Sequence, residues 1–195
     1  RAARELAFPL FVKPLCTGSS VGIKKVKVKK DLAAAIDYAF QFDTRIMIET
    51  GIDCREIECA VLGNEKPQAS VLGEILPTHE FYSYEAKYLD PQGAKMNIPA
   101  GLSARLAAAI RTCAIDGFQA LNLTSMARVD FFLDQKTNEF YLNEVNTLPG
   151  FTSVSMYPKL WEATGLPYGK LLDRLIWRSS ATGKKCRLKR MDDLL

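Results

Sequence analysis

The sequence predicts an α+β protein of antiparallel sheets flanked by helices, and two observations carry that expectation. Segments with period-two alternation come in neighbouring pairs joined by short polar turns, the clearest being residues 126–133 and 140–146 around the turn 134–139, as adjacent antiparallel strands require. Apolar residues also recur at helical spacing over residues 32–40 and 104–121, each run preceded by a residue able to cap it. At 195 residues, with 48% hydrophobic and 10% aromatic content, the chain can bury a real core in one or two domains.

The elements follow in order. Residues 8–13 form a short β run that ends in the turn-rich, small-residue loop 14–22, and residues 23–28 resume extended structure, so the two make a hairpin. Asp31 is placed to cap a helix whose apolar positions 32, 35, 36, 39 and 40 form one stripe. Residues 45–49 are a strand, and 56–62 and 69–76 are two more, joined by the turn 63–67. From 77 to 97 the pattern dissolves into a polar and aromatic segment, long enough to be a lid or binding loop. Ser103 caps the helix 104–121, which turns Ala107, Ile110, Ala114, Phe118 and Leu121 to the core. After the paired strands, residues 156–163 and 168–179 read as closing helices around Gly165-Leu166-Pro167.

Charge and cysteine content narrow the class. The net charge of +4 gathers in residues 24–30 and in Arg178 with 184–190. A solvated face and a frayed basic tail account for this at least as well as a nucleic-acid surface. The five cysteines, with no Cys-x-x-Cys spacing and a single His79, suit reduced thiols in a cytoplasmic protein. No apolar run is long enough to span a bilayer, and the start is not a signal peptide. A start without methionine, just ahead of a strand, leads us to expect a piece of a longer protein.

The paired strands carry the strongest chemical signal. If the hairpin is centred near Thr137, Asp130 opposes Glu144 and Arg128 opposes Asn146. Alternation then puts these four on one face, with Ala127, Val129, Phe131, Tyr141 and Val145 on the other. Two carboxylates and an amide oxygen are hard ligands suited to Mg²⁺, which fills its shell with water and substrate phosphates. The alternative is a solvated strand face with an ion pair. Lys13 precedes a glycine- and serine-containing loop whose N–H groups could approach phosphate, although no Walker A pattern is present and a turn with a snorkelling lysine reads equally well. Glu49 and Glu56, at strand ends, could contact an adenine amine or a ribose or be surface charge, and Lys87-Tyr88 shares that ambiguity.

The order of these features resembles the ATP-grasp superfamily and, within it, the D-alanine:D-alanine ligase family. The carrying strings are Val12-Lys13-Pro14, Gly18-Ser19-Ser20-Val21-Gly22, Tyr84-Glu85-Ala86-Lys87-Tyr88, Ile98-Pro99-Ala100, Ala127-Arg128-Val129-Asp130 and Asn143-Glu144-Val145-Asn146-Thr147-Leu148-Pro149-Gly150-Phe151-Thr152. The resemblance runs from about Phe8 to Ile176. It implies the rest of a central subdomain in 1–50, a C-terminal subdomain in 51–179 with a lid at about 77–97, and a basic tail 180–195 that has no counterpart.

The implied activity is ATP-dependent joining of two D-alanines through an acyl phosphate, for peptidoglycan precursor synthesis. By resemblance, Lys13 and Lys87 hold ATP phosphates, Glu49 and Glu56 contact adenine and ribose, and Asp130, Glu144 and Asn146 bind two Mg²⁺ or Mn²⁺ ions. Arg128 and the Gly150 N–H stabilise developing charge, and Ser155 holds the carboxylate of the second D-alanine. Ser19 and Tyr88 link to a glutamate of an N-terminal domain that lies ahead of this stretch, so this stretch alone is expected to be inactive. The resemblance further implies a homodimer at full length, with neither nucleic acid nor membrane as partner. Thr50 stands where relatives often carry lysine. Other ATP-grasp carboxylate–amine ligases, D-serine or D-lactate as acceptor, and a nucleotide- or nucleic-acid-binding module remain alternatives, with Lys87-Tyr88 arguing against D-lactate.

Overall fold

A computed structural model of the protein describes residues 6–77, 94–152 and 154–185. The chain forms two compact units, Arg1–Cys54 with Leu76–Lys95 and Arg55–Ile75 with Met96–Leu195. The expected segment 77–97 falls largely outside the described residues, as do His79, Lys87, Tyr88, Cys186 and the rest of the tail beyond residue 185.

In the first unit, strands β1 (Leu10–Pro14), β2 (Lys24–Val26) and β3 (Ile46–Thr50) form a sheet ordered β2-β1-β3, antiparallel at both pairings. Alternation along β1 buries Leu10, Val12 and Pro14 and leaves Phe11 and Lys13 on the other face. Helix α1 (Leu32–Ala39) covers the buried face through Ala35 and Ala39, with Leu32 and Ile36 packed alongside. Two expectations change here. Asp31 makes no side-chain cap, because a 3-10 turn over Lys29–Asp31 runs into the helix and holds Asp31 at φ −89°, ψ −4°, whereas a capping side chain needs extended backbone. Phe40 leaves the stripe, since the helix ends at Ala39 and the ring is 50% exposed.

The second unit is built on a sheet ordered β6-β5-β4-β7-β8, from β4 (Cys54–Gly63), β5 (Gln68–Pro77), β6 (Ala94–Asn97), β7 (Ser125–Asp134) and β8 (Phe140–Asn146). One face carries Ile57, Cys59, Val129, Phe131 and Leu133 against Ile110, Ala114 and Phe118 of α2 (Ala104–Ala120). Ser103 caps that helix as expected, its Oγ accepting from the Leu106 N–H at 3.3 Å. Leu121 does not reach the core; it follows the last helical residue and is 57% exposed. Helix α3 (Met156–Ala163) docks where Gly73 leaves room: a Cβ there would lie 2.6 Å from Met156 Sδ. The Tyr157 hydroxyl donates to the Val61 carbonyl at 3.0 Å. Helix α4 (Tyr168–Lys185) runs beyond the expected residue 179.

The β7–β8 pairing contains a bulge. Asp130 opposes Glu144, but Phe131 opposes Leu142, so Asn143 is an extra residue in β8. The core residues Phe140 and Val145 therefore stand five positions apart, and Tyr141, expected on the core face, is turned out at 45% exposure. A two-residue period cannot survive one inserted residue.

Cys16, Cys54, Cys59 and Cys113 stand outside any disulfide, and burial pushes the Cys59 thiol up to about 12. Among the described residues no helix is long and apolar enough to cross a membrane.

Arg55 grips Glu74 with two hydrogen bonds of 2.6 and 2.7 Å and reaches the Gly101 carbonyl at 3.2 Å, so it ties β4 and β5 to the loop before α2. The Arg55 hydrogen bond holds the Glu74 carboxyl below its ordinary 4.5, against the opposing effect of burial. A depressed folded-state value stabilises above the ordinary value and loses its effect as pH falls through the folded one. We expect Glu74→Gln to cost about 2 kcal/mol in denaturant unfolding at pH 7. The gap to the parent should close below the ordinary carboxylate range, and a gap that persists at low pH would contradict the assignment.

Candidate active site

The face of the second sheet opposite the α2 core carries the charged cluster. Arg128 and Asp130 are two apart on β7, so they share a face. Register sets Asn146 opposite Arg128 and Glu144 opposite Asp130, as the hairpin symmetry predicts. Arg128 donates to Asp130 through Nε at 2.8 Å and Nη2 at 2.7 Å, a bidentate pair. The Asn146 amide donates to Asp130 Oδ2 at 3.0 Å and to Glu144 Oε1 at 3.1 Å. The four residues assigned by sequence to this face are therefore in mutual contact.

Glu58 completes the group, and the sequence reading passed over it. It lies on β4, the neighbour of β7 on the side away from β8, and its Oε2 is 3.0 Å from Arg128 Nε. Its side chain is 12% exposed, those of Arg128 and Asp130 21% and 14%. Period-two spacing from Glu56 was the available signal, because it sets Glu58 on the same face as a residue already singled out. Burial alone would pull the Arg128 guanidinium down, but the Asp130 hydrogen bonds and the charges of Asp130, Glu58 and Glu144 outweigh it and hold it above its ordinary value.

A divalent cation fits this donor set in one particular way. Among the described residues no group of three or more His, Cys, Asp or Glu side chains is arranged to hold a metal. Asp130 and Glu144, with the Asn146 amide touching both, offer a partial shell on one open face. That suits a cation that takes one or two carboxylates and completes its shell with water and phosphate oxygens. It does not suit an all-protein cage.

Downstream of β8 the chain brings Gly150 against Ser155. A Cβ at Gly150 would lie 2.9 Å from Ser155 Oγ, so only glycine fits without displacement. Ser155 stands at the N-cap position of α3 without a capping side-chain bond; its Oγ accepts from the Thr152 N–H at 3.0 Å and lies 2.9 Å from Thr152 Oγ1.

In the first unit, Lys13 on β1 pairs with Glu49 on β3. These two sit diagonally, since Phe11 is the residue opposite Glu49 and Met47 the one opposite Lys13. Ser19 occupies the loop between β1 and β2 in the left-handed region at φ 56°. Glu56 belongs to the second unit, on β4 opposite Ile75. Lys87 and Tyr88 lie outside the described residues.

Residues 1–177 match the family described as D-ala D-ala ligase C-terminus. The D-alanine–D-alanine ligase A of Bradyrhizobium diazoefficiens is 56% identical over 178 residues, 90% of this chain and 48% of that protein. The ligase A of Escherichia coli K12 is 53% identical over 172 residues, 88% of this chain and 47% of that protein. Among solved structures, the D-alanine-D-alanine ligase from Coxiella burnetii has a TM-score of 0.82 at 40% identity, covering 96% of this chain and 49% of that one. VanG D-Ala:D-Ser ligase from Enterococcus faecalis has a TM-score of 0.81 at 39% identity, covering 90% and 50%. The chain thus spans about half the length of the relatives it matches. The family match over residues 1–177, the sequence identity to the two ligases A and the likeness to solved ligases lead to one assignment: the chain belongs to the D-alanine–D-alanine ligase family, in its C-terminal, ATP-grasp part.

Proposed function

We propose that this chain is the nucleotide- and metal-handling part of an enzyme that joins two D-alanines at the expense of ATP, for peptidoglycan precursor synthesis in the cytoplasm. The observation that carries this reading is the cluster of Arg128, Asp130, Glu144 and Asn146, held in contact on one sheet face by strand register. In this reading Asp130, Glu144 and Asn146 hold two Mg²⁺ or Mn²⁺ ions, which, when bound, neutralise phosphate charge. Lys13 and Lys87 hold ATP phosphates, and Glu49 and Glu56 contact adenine and ribose. Lys13 and Glu49, already paired, would then release each other on nucleotide binding.

The carboxylate of the first D-alanine takes the γ-phosphoryl group. The amine of the second attacks the acyl carbon, the bond to the phosphate oxygen breaks, and the amine gives up a proton. Arg128, fixed as a cation by its carboxylate neighbours, and the Gly150 N–H stabilise the charge that develops. Ser155 orients the second carboxylate, and Ser19 with Tyr88 fastens the lid to an N-terminal domain. A homodimer of the full-length protein belongs to the same proposal.

A second reading, D-serine as acceptor, draws support from the likeness to VanG, nearly equal to that of the Coxiella ligase. The test is product analysis with ATP, Mg²⁺ and mixed D-alanine, D-serine and D-lactate, on a protein of the relatives' full length containing this chain. D-alanyl-D-alanine should dominate, and the 195 residues alone should form none. Dominant D-alanyl-D-serine would favour the second reading, and no ADP release with any acceptor would overturn both.

In that same protein, Asp130→Asn should lower turnover about a hundredfold while the unfolding midpoint moves only a few degrees. Activity lost only in proportion to folded protein would reduce Asp130 to a structural partner of Arg128.

A further inference from the structure

The sheet order gives Arg128 carboxylate neighbours on two sides. Asp130 shares its strand, with Glu144 and Asn146 beyond it on β8, while Glu58 stands on β4 across from them. Glu58 is itself hemmed in: its partner on β5 is Gly73, where Met156 and Leu160 of α3 occupy the space a side chain would take. A carboxylate only 12% exposed is costly unless a cation neutralises it, and the guanidinium 3.0 Å away does so.

Arg128 Nε therefore sits between Asp130 Oδ1 at 2.8 Å and Glu58 Oε2 at 3.0 Å. The Nε hydrogen goes to Asp130, while Glu58 faces the same guanidinium at ion-pair distance. A divalent cation on Asp130 and Glu144 would draw off the Asp130 charge that now balances Arg128, and it would also repel the guanidinium. Without a second anion, Arg128 would have to swing away or exclude the ion.

We propose that Glu58 is the positioning residue that keeps Arg128 in place when Asp130 turns its charge to a divalent cation. Arg128 passes from a grip shared by Asp130 and Glu58 to one resting mainly on Glu58, and it stays where developing negative charge can reach it. This rests on the metal reading given above. Glu58 touches neither ion nor substrate; it acts through Arg128 and through the extra negative charge it gives the face.

The test is Mn²⁺ titration by electron paramagnetic resonance, on a protein of the relatives' full length containing this chain, comparing the parent with Glu58→Gln and Glu58→Asp. Glu58→Gln should weaken Mn²⁺ binding about tenfold at unchanged stoichiometry. Its kcat should fall at least as much, with the KM for ATP nearly constant. Glu58→Asp, which keeps the charge but withdraws it from Nε, should fall between the two, and it carries the test if Glu58→Gln does not fold. A merely structural role would lower the number of binding-competent molecules and leave their Kd unchanged, and that result overturns the proposal. Parental Kd and kcat in both variants would also overturn it while leaving the metal reading standing. Failure of the parent to bind Mn²⁺ would remove the metal reading and this proposal together.

Discussion

Everything chemical in the second unit depends on the register between β7 and β8. Opposition of Asp130 to Glu144 and of Arg128 to Asn146 brings four polar side chains from two strands onto one patch. A slip by one residue would turn Glu144 and Asn146 into the α2 core and bring Val145 out, at a cost in buried apolar area and unpaired charge that no local contact could offset. The core thereby enforces the site: Val129 and Val145, locked against α2, fix the facing of the residues that flank them. The bulge at Asn143 confines this arrangement to the end of the hairpin nearer Asn146. Beyond it β8 resets: Leu142 and Phe140 fall on the α2 side of the sheet, Phe140 packed against the core and Leu142 still 42% exposed, and Tyr141 falls on the other side.

Charge balance is the second constraint. Three carboxylates, Glu58, Asp130 and Glu144, face one guanidinium, so the patch keeps an excess of negative charge after Arg128 is neutralised. Partial burial strengthens both the attraction and the cost of leaving any member without a counterion. An arginine so held is a poor candidate for deprotonation and a good one for a fixed positive charge beside a reacting group. The same surroundings leave Asp130 shared rather than committed, as the proposed binding of a cation and a nucleotide would require.

The sequence carried much of this, and its failures have local causes. The Asp130–Glu144 register was legible because the turn is short and the alternation on both arms is clean. Tyr141 was misplaced because an inserted residue leaves no mark in composition. Phe40 and Leu121 fit helical stripes, yet each lies one residue past its helix end, where periodicity has no further meaning. Asp31 has the chemistry of a cap but not the backbone for one. The strand Ala94–Asn97 was missed since Ala-Lys-Met-Asn holds no β-branched residue and pairs only at a sheet edge. Glu58 was overlooked for a different reason: alternation gives the face of a residue, whereas its partner depends on which strand lies alongside, and β4 and β7 are far apart in sequence.

In the proposed function the Asp130–Glu144 face receives divalent cations with nucleotide phosphates. The most direct measurement is anomalous X-ray diffraction from crystals grown with Mn²⁺ and a non-hydrolysable ATP analogue, on a protein of the relatives' full length containing this chain. Manganese peaks are expected within bonding distance of the Asp130 and Glu144 carboxylates, with Arg128 still against Glu58. Density for the analogue with no manganese at this face, and Arg128 still bidentate on Asp130, would contradict it.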